Sequence, residues 1–166
     1  MVVRTETERD HAAVHTVNTR AFGRPEEAQL VDVLRRRTHP HVSLVAEDND
    51  EIVGHILFTP VSLADYDGLI MGLAPMAVVP SRQRMGIGSA LVQAGLEHCG
   101  KIEAAAAVVL GHPSFYPKFG FFPASAFGLS CEYDVPAESF MARELRVGAL
   151  RSASGTVSYD AAFGEI

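Results

Sequence analysis

Hydrophobic residues along this chain change period several times, and each change marks an element. Val2 to Arg4 is a short β-rich start. Asp10 then stands as an N-cap before His11 to Phe22, where Ala13, Val14, Val17 and Ala21 recur at helical spacing and draw one apolar stripe. After Gly23-Arg24-Pro25 a second helix is predicted over Glu26 to Arg37. Its acidic residues sit in the first turn and its arginines in the last, as the helix dipole favours, while Ala28, Leu30, Val31 and Leu34 form the core face. Val42 to Glu47 and Ile52 to Val61 are β-rich runs either side of Asp48-Asn49-Asp50, a polar turn cluster that predicts an antiparallel hairpin with its tip in solvent.

From Leu69 to Val79 the chain is almost wholly apolar, as a central strand covered on both faces would be. Helical spacing returns in Ser89 to His98 through Leu91, Val92, Gly95 and Leu96, and Ala104 to Leu110 reads as the next strand. Pro113 to Phe119 predicts a short helix opened by its proline, and Ser139 to Val147 a late strand after a Gly/Pro/Ser-rich surface loop. The composite is α+β. A helix crosses between the two central strands, so they run parallel within a mixed sheet, and a ligand belongs at their carboxyl ends.

One junction carries chemistry. In Met76 to Leu91, MAVVPSRQRMGIGSAL, a strand ends at a Pro-Ser break and a glycine-bearing turn opens onto a helix. Gly86 and Gly88 have no Cβ, so backbone can approach a ligand closely, and the first amides of the helix lack intrahelical partners. Such a helix end favours a phosphate, although a plain tight turn also accounts for two glycines. A dinucleotide fingerprint would need a small third residue where Leu91 stands, and a P-loop would need a lysine before Ser89; neither is present.

What remains, Gln83-x-x-Gly86-x-Gly88 after Met76-Ala77-Val78, resembles the acetyl-coenzyme A signature of the GNAT N-acetyltransferase superfamily. A second segment, VVLGHPSFYPKFGFF from Val108 to Phe122, resembles that superfamily's later strand and its Tyr-x-x-x-Gly-Phe element through Tyr116, Gly120 and Phe121. The Leu-Gly-His-Pro-x-Phe-Tyr wording, with Ser139-Phe140-Met141 and Glu144-Leu145, is most similar to the YhbS-like branch. The likeness spans roughly Val2 to Leu150, with 151–166 as a C-terminal extension of one N-acetyltransferase domain over 1–166. It implies a GNAT-like, mostly antiparallel sheet with helices on both faces and two central parallel strands that splay apart.

The same resemblance implies acetyl-CoA as co-substrate. Pantetheine would pair with the backbone of Met76 and Val78, and the pyrophosphate would meet the amides of Arg84, Met85, Gly86, Ile87, Gly88 and Ser89, with Ala77 and Gln83 also among the cofactor-binding residues. Arg84, together with Arg82, would add charge, whereas Met85 occupies a position often basic in the superfamily. Tyr116 would contact the cofactor sulfur and act as general acid for the departing thiolate; packing alone is the alternative. An N–H near Val78 would stabilise the oxyanion. The central strand holds no carboxylate to serve as general base, which leaves His112, near the cleft mouth, with Glu26, Glu27, Glu47, His55 and Glu103 as loosely placed candidates.

Length and composition narrow the rest. At 166 residues and 48% hydrophobic content the chain builds one domain with a substantial core. A net charge of −6 argues against nucleic-acid and anionic-membrane partners. Cys99 and Cys131 form no CxxC pair and read as buried free thiols, and the start MVVRTETERD has no apolar leader, so a cytoplasmic protein is expected. His11 with His15, and His39 with His41, lack a completing carboxylate or cysteine, so no metal site is expected. The acceptor would be a small-molecule or peptide amine, set by Gly23 to Glu27 and Phe121 to Val135. A non-catalytic acyl-CoA sensor and a transferase for longer acyl groups stay open, as does a homodimer, and the apolar tail Val157 to Phe163 would pack on its own domain or on a neighbour.

Overall fold

The computed structural model describes residues 1–166, and its strands and helices fall where the hydrophobic period changes. The strands are β1 (Val2–Thr5), β2 (Val42–Asp48), β3 (Glu51–Val61), β4 (Ile70–Val78), β5 (Ala106–Leu110), β6 (Phe122–Pro123), β7 (Leu129–Cys131), β8 (Phe140–Glu144) and β9 (Gly155–Val157). The α-helices are α1 (His11–Phe22), α2 (Glu26–Arg37) and α3 (Ile87–Lys101). One sheet has the strand order β1-β2-β3-β4-β5-β8-β6, and β7 and β9 form a small parallel pair. Within the large sheet β4 and β5 are parallel, whereas β1–β2, β2–β3, β5–β8 and β6–β8 are antiparallel.

Backbone contacts group the chain into two compact units. The first comprises Met1–Thr59, Ala74–Gly95 and Ala161–Ile166; the second comprises Pro60–Leu73 and Leu96–Asp160. In the first unit the β2–β3 hairpin turns through Asn49 and Asp50, both at positive φ (51° and 63°), the backbone that matches the twist of a two-residue hairpin. Alternation along β3 sends successive side chains to opposite faces. Leu57 meets Val14, Leu30, Val31 and Leu34 of α1 and α2, while Gly54 and Phe58 lie against Ile87, Leu91 and Gly95 of α3. Helices therefore cover both faces of this hairpin. Ala162 of the C-terminal tail joins the α1–α2 core, so the tail packs on its own chain.

Several local expectations change. Asp10 starts α1 without capping it: its carboxylate accepts from the Thr7 backbone N–H at 2.8 Å and from Arg4, and the chain already turns helically from Glu8 in a 3₁₀ segment that α1 continues. Of the predicted α1 stripe, Val14 and Val17 are buried and Ala13 and Ala21 only partly so, whereas polar Asn18 is fully buried. Pro113 opens a turn rather than a helix, and only Tyr116–Phe119 forms a 3₁₀ helix, because Pro117 suits that tighter first turn. The surface loop contains β6, β7 and a 3₁₀ helix over Ala124–Phe127, and the late strand narrows to Phe140–Glu144. Strands of two or three residues are too short to show a period of two. Cys99 is buried and Cys131 only half-buried; both are free.

Candidate active site

β4 changes character along its length. Ile70 to Leu73 are buried and pair in parallel register with Ala106 to Val109, and that register ends at Leu73. Beyond it Pro75 has no N–H to donate, and Ala74, Met76 and Val78 alternate as half-exposed positions with buried Pro75 and Ala77. The N–H of Val79 donates to the Val53 carbonyl on β3 at 3.0 Å. Successive peptide groups of a strand face opposite edges, so those of Val78 face away from β3. Gln83 reaches that edge from the turn and donates through Nε2 to the Val78 carbonyl at 3.1 Å, which leaves the Val78 N–H as the donor there. Gln83 therefore ties the turn to the strand.

The turn uses left-handed backbone twice, at Arg84 (φ 64°) and at Gly86 (φ 86°), where glycine adopts it without steric cost. A Cβ built on Gly86 would meet nothing within 4 Å, so the space above that glycine is open. The Ala90 N–H closes the first helical bond of α3 onto the Gly86 carbonyl at 3.1 Å. The amides of Ile87, Gly88 and Ser89 therefore precede the intrahelical ladder, at the positive end of a 15-residue helix. Ile87 is buried, and its Cγ2 lies 3.0 Å from where a Gly54 Cβ would be, so Gly54 lets the helix start press onto β3. Sequence reading passed over Gly54; an isolated glycine inside a strand run was the available signal.

Charge around the turn is divided. Arg82 is engaged by Asp48 at the hairpin tip, Nη1 to Oδ2 2.6 Å, and that pair lowers the Asp48 carboxyl below its usual range. That ion pair engages one nitrogen of the Arg82 guanidinium. Arg84 and Met85 are exposed, and Met85 supplies no charge.

In the second unit Tyr116 is buried to 8% exposure, its ring edge-on to Phe115 and Phe121 at centroid distances of 5.0 and 5.7 Å. Gly111 makes room for it, since a Cβ there would come within 2.3 Å of the ring. Burial alone pushes the phenol up to about 12, so it is held protonated at neutral pH. His112 is exposed; its carbonyl accepts the Phe115 N–H at 3.1 Å and so shapes the turn that leads to Tyr116.

The base candidates are dispersed. Glu27 is buried beneath Arg24, which also pairs with Glu26 at 3.5 Å; Glu47 is bonded to Arg4 at 2.9 Å; and Glu103 lies exposed after α3. His55 is fully buried, Nδ1 3.2 Å from Asn18 Nδ2 and Nε2 2.9 Å from Ser43 Oγ. The Asn18 Nδ2, which also donates to the Val14 carbonyl at 3.0 Å, can only donate, so His55 Nδ1 accepts and Nε2 carries the proton. Desolvation lowers this imidazole to about 4. Closed off from any substrate, His55 belongs to the core. No group of three or more His, Cys, Asp or Glu side chains is arranged to hold a metal, and no helix is long and apolar enough to cross a membrane.

The model of the acetyltransferase (GNAT) family matches residues 11–121, a span that includes the turn, Tyr116 and Gly120-Phe121. YjhQ, an uncharacterized N-acetyltransferase of Escherichia coli K12, is 40% identical over 134 residues, 78% of this chain and 74% of its own. YhbS of the same organism, likewise an uncharacterized N-acetyltransferase, is 32% identical over 160 residues, 96% of each chain. The crystal structure of Escherichia coli YhbS in complex with CoA superposes with TM-score 0.92 at 31% identity, covering 98% of this chain and 91% of that one. A GNAT-family acetyltransferase from Brucella melitensis in complex with acetyl-CoA superposes with TM-score 0.80 at 30% identity, covering 98% and 97%.

Proposed function

Because this chain belongs to the GNAT acetyltransferase family, we propose that it transfers an acetyl group from acetyl-CoA to a primary amine by direct attack in a ternary complex. The observation that carries the reading is the open space over Gly86, at φ 86°, beside the unpaired first amides of α3. Such a cradle suits a pyrophosphate, and this reading assigns exposed Arg84 to add charge to it. Met76, whose peptide groups face the same edge as those of Val78, offers that edge to pantetheine, as an added strand uses it, and Ala77 lies between them. The solved relatives that hold CoA and acetyl-CoA support the same ligand.

Acetyl-CoA supplies the thioester; the chain's own groups bind, orient and donate. The Val78 N–H, turned to the free edge of β4, is assigned to the oxygen that gains charge as the amine adds to the carbonyl. Tyr116, in the second unit, is assigned to give its proton to the leaving sulfur. Its apolar surroundings keep the phenol protonated until a thiolate appears. The amine must arrive neutral. With the carboxylates noted above paired or remote in sequence, water beside exposed His112 is the proton acceptor this reading assigns. No cysteine lies within the Gln83 to Ser89 turn to take the acetyl group, which favours direct transfer over a covalent intermediate.

Titration calorimetry with acetyl-CoA, joined to thiol release over an amine panel, tests the proposal on three proteins. Wild type is expected to bind and turn over. Gly86→Val is expected to lose binding by at least about tenfold, because the added side chain enters the ligand's space and resists the left-handed φ. Tyr116→Phe is expected to keep affinity within about twofold and lose roughly 100-fold in kcat, the size of a general-acid contribution. Full binding by Gly86→Val would refute the cradle, and unchanged turnover by Tyr116→Phe would remove the acid. Binding without thiol release from any amine would favour the sensor.

A further inference from the structure

The second unit contains a cavity of about 190 Å³ that the transfer chemistry leaves unassigned. Leu129 and Cys131 of β7, with Tyr133, Val135 and Phe140, form most of its wall, and Ala137 stands exposed at its rim. Ser125 and Ser130 complete the lining, and the Ser130 hydroxyl is already engaged with Thr156 at 3.1 Å. Phe140 is the β8 residue paired with Leu110, the last residue of β5, and the Gly111 N–H bonds the Ser139 carbonyl at 2.9 Å. Phe140 thus brings one wall of the cavity beside the carboxyl end of the parallel strand β5, the end at which ligands of such sheets are held.

Its chemistry is selective. No Asp, Glu, His, Lys or Arg lines it. Burial raises both the Cys131 thiol and the Tyr133 phenol, so both remain neutral around pH 7. Glu132, Asp134 and Glu138 interleave with the lining residues in sequence but are exposed, and Glu132 is bonded to the Tyr159 N–H at 3.0 Å. An apolar cavity of roughly 150 Å³ accommodates a benzene ring. The volume here thus suits one phenyl or branched-alkyl group and nothing much larger.

We propose that this cavity is the specificity pocket for the acceptor and takes an uncharged aryl or branched-alkyl substituent of the amine. The proposal rests on the acetyltransferase reading for its catalytic consequence, though not for the binding itself. An amine whose apolar end is seated there leaves its nitrogen outside the cavity. A di- or polyamine, whose far end is also charged, would bring that charge against a lining that itself contains no carboxylate.

Two measurements separate the pocket from the reaction. Protein carrying ¹³C-labelled methyl groups is titrated with phenethylamine, ethylamine and a linear diamine, without acetyl-CoA. Saturable shifts at Leu129 and Val135 with phenethylamine alone are expected; their absence, or equal shifts with the diamine, overturns the proposal. Thiol release is then compared in wild type and Ala137→Phe, where a ring added at the exposed rim obstructs the mouth without entering the core. The expected result is a KM for phenethylamine raised about tenfold or more, with ethylamine KM and acetyl-CoA affinity within about twofold. An equal loss for all amines, or an effect confined to longer acyl-CoA donors, overturns it. If acetyl-CoA is not bound or no thiol is released, the acetyltransferase reading falls, and the methyl titration alone decides the pocket.

Discussion

The imidazole of His55 has lost water on every side and keeps Asn18, Ser43 and Glu6 as its polar neighbours, the last 3.7 Å from Nε2. Around it Arg35 bonds both oxygens of Glu6 at 2.8 and 2.9 Å and reaches Asp32, which in turn meets His15 at 3.0 Å. Desolvation is the largest influence on His55 and outweighs the attraction of Glu6, while Arg35 adds to the lowering. A group whose folded value is depressed contributes stability that is complete above its unfolded value, 6.5, and is lost as pH falls through about 4. The loss across that window is roughly 3 kcal/mol, a sizeable part of an ordinary domain's stability. Urea unfolding at about pH 7, 5 and 4 should show it in wild type, and His55→Gln should flatten the decline. An equal decline in both proteins would assign the acid response to other groups. None of this could be read from the sequence, where a histidine within an apolar run gives no sign of the Asn18 and Ser43 that enclose it.

At the level of elements, α3 joins two requirements. Its first turn offers free amides, and its middle must press on β3. Gly95 allows the second: a Cβ there would come within 2.2 Å of the Phe58 ring, which is fully buried and has no room to retreat. Gly100, near the other end of the helix, has open space in the same direction. Replacing glycine by alanine in a helix gains about 0.5–1 kcal/mol from backbone propensity, whereas overpacking a core costs about 1–3 kcal/mol. Thermal unfolding should therefore show Gly95→Ala destabilised and Gly100→Ala stabilised; a gain at both sites would mean that β3 yields easily. Helical periodicity made α2 legible to its bounds, Glu26–Arg37, with its four core residues all buried. Periodicity failed for β6, β7 and β9, whose two or three residues form only because distant partners at Ala142, Met141 or across the β7–β9 pair are present. Within the candidate site, the glycine turn and Tyr116 stood in the sequence as spaced motifs. The pairing of Arg82 with Asp48 and the reach of Gln83 to Val78 did not, since both depend on side chains meeting across turns.

For the molecule as a whole, the two units are woven from one chain that passes between them inside β3, β4 and α3 and again before the tail. A helix or strand cannot melt at one end without weakening hydrogen bonds at the other, so we propose that 1–166 folds as a single N-acetyltransferase domain. Calorimetric and van't Hoff enthalpies should then agree in one transition, and two resolved transitions would divide it. The same division has an optical consequence. The chain has no tryptophan, and its four tyrosines, Tyr66, Tyr116, Tyr133 and Tyr159, all belong to the second unit. Tyrosine emission is thus a lamp fixed in one half of the protein, and the glycine turn at Gly86 lies in the dark half. A brightening or quenching on addition of acetyl-CoA would report what the second unit experiences, and a tryptophan placed at exposed Met85 would light the other.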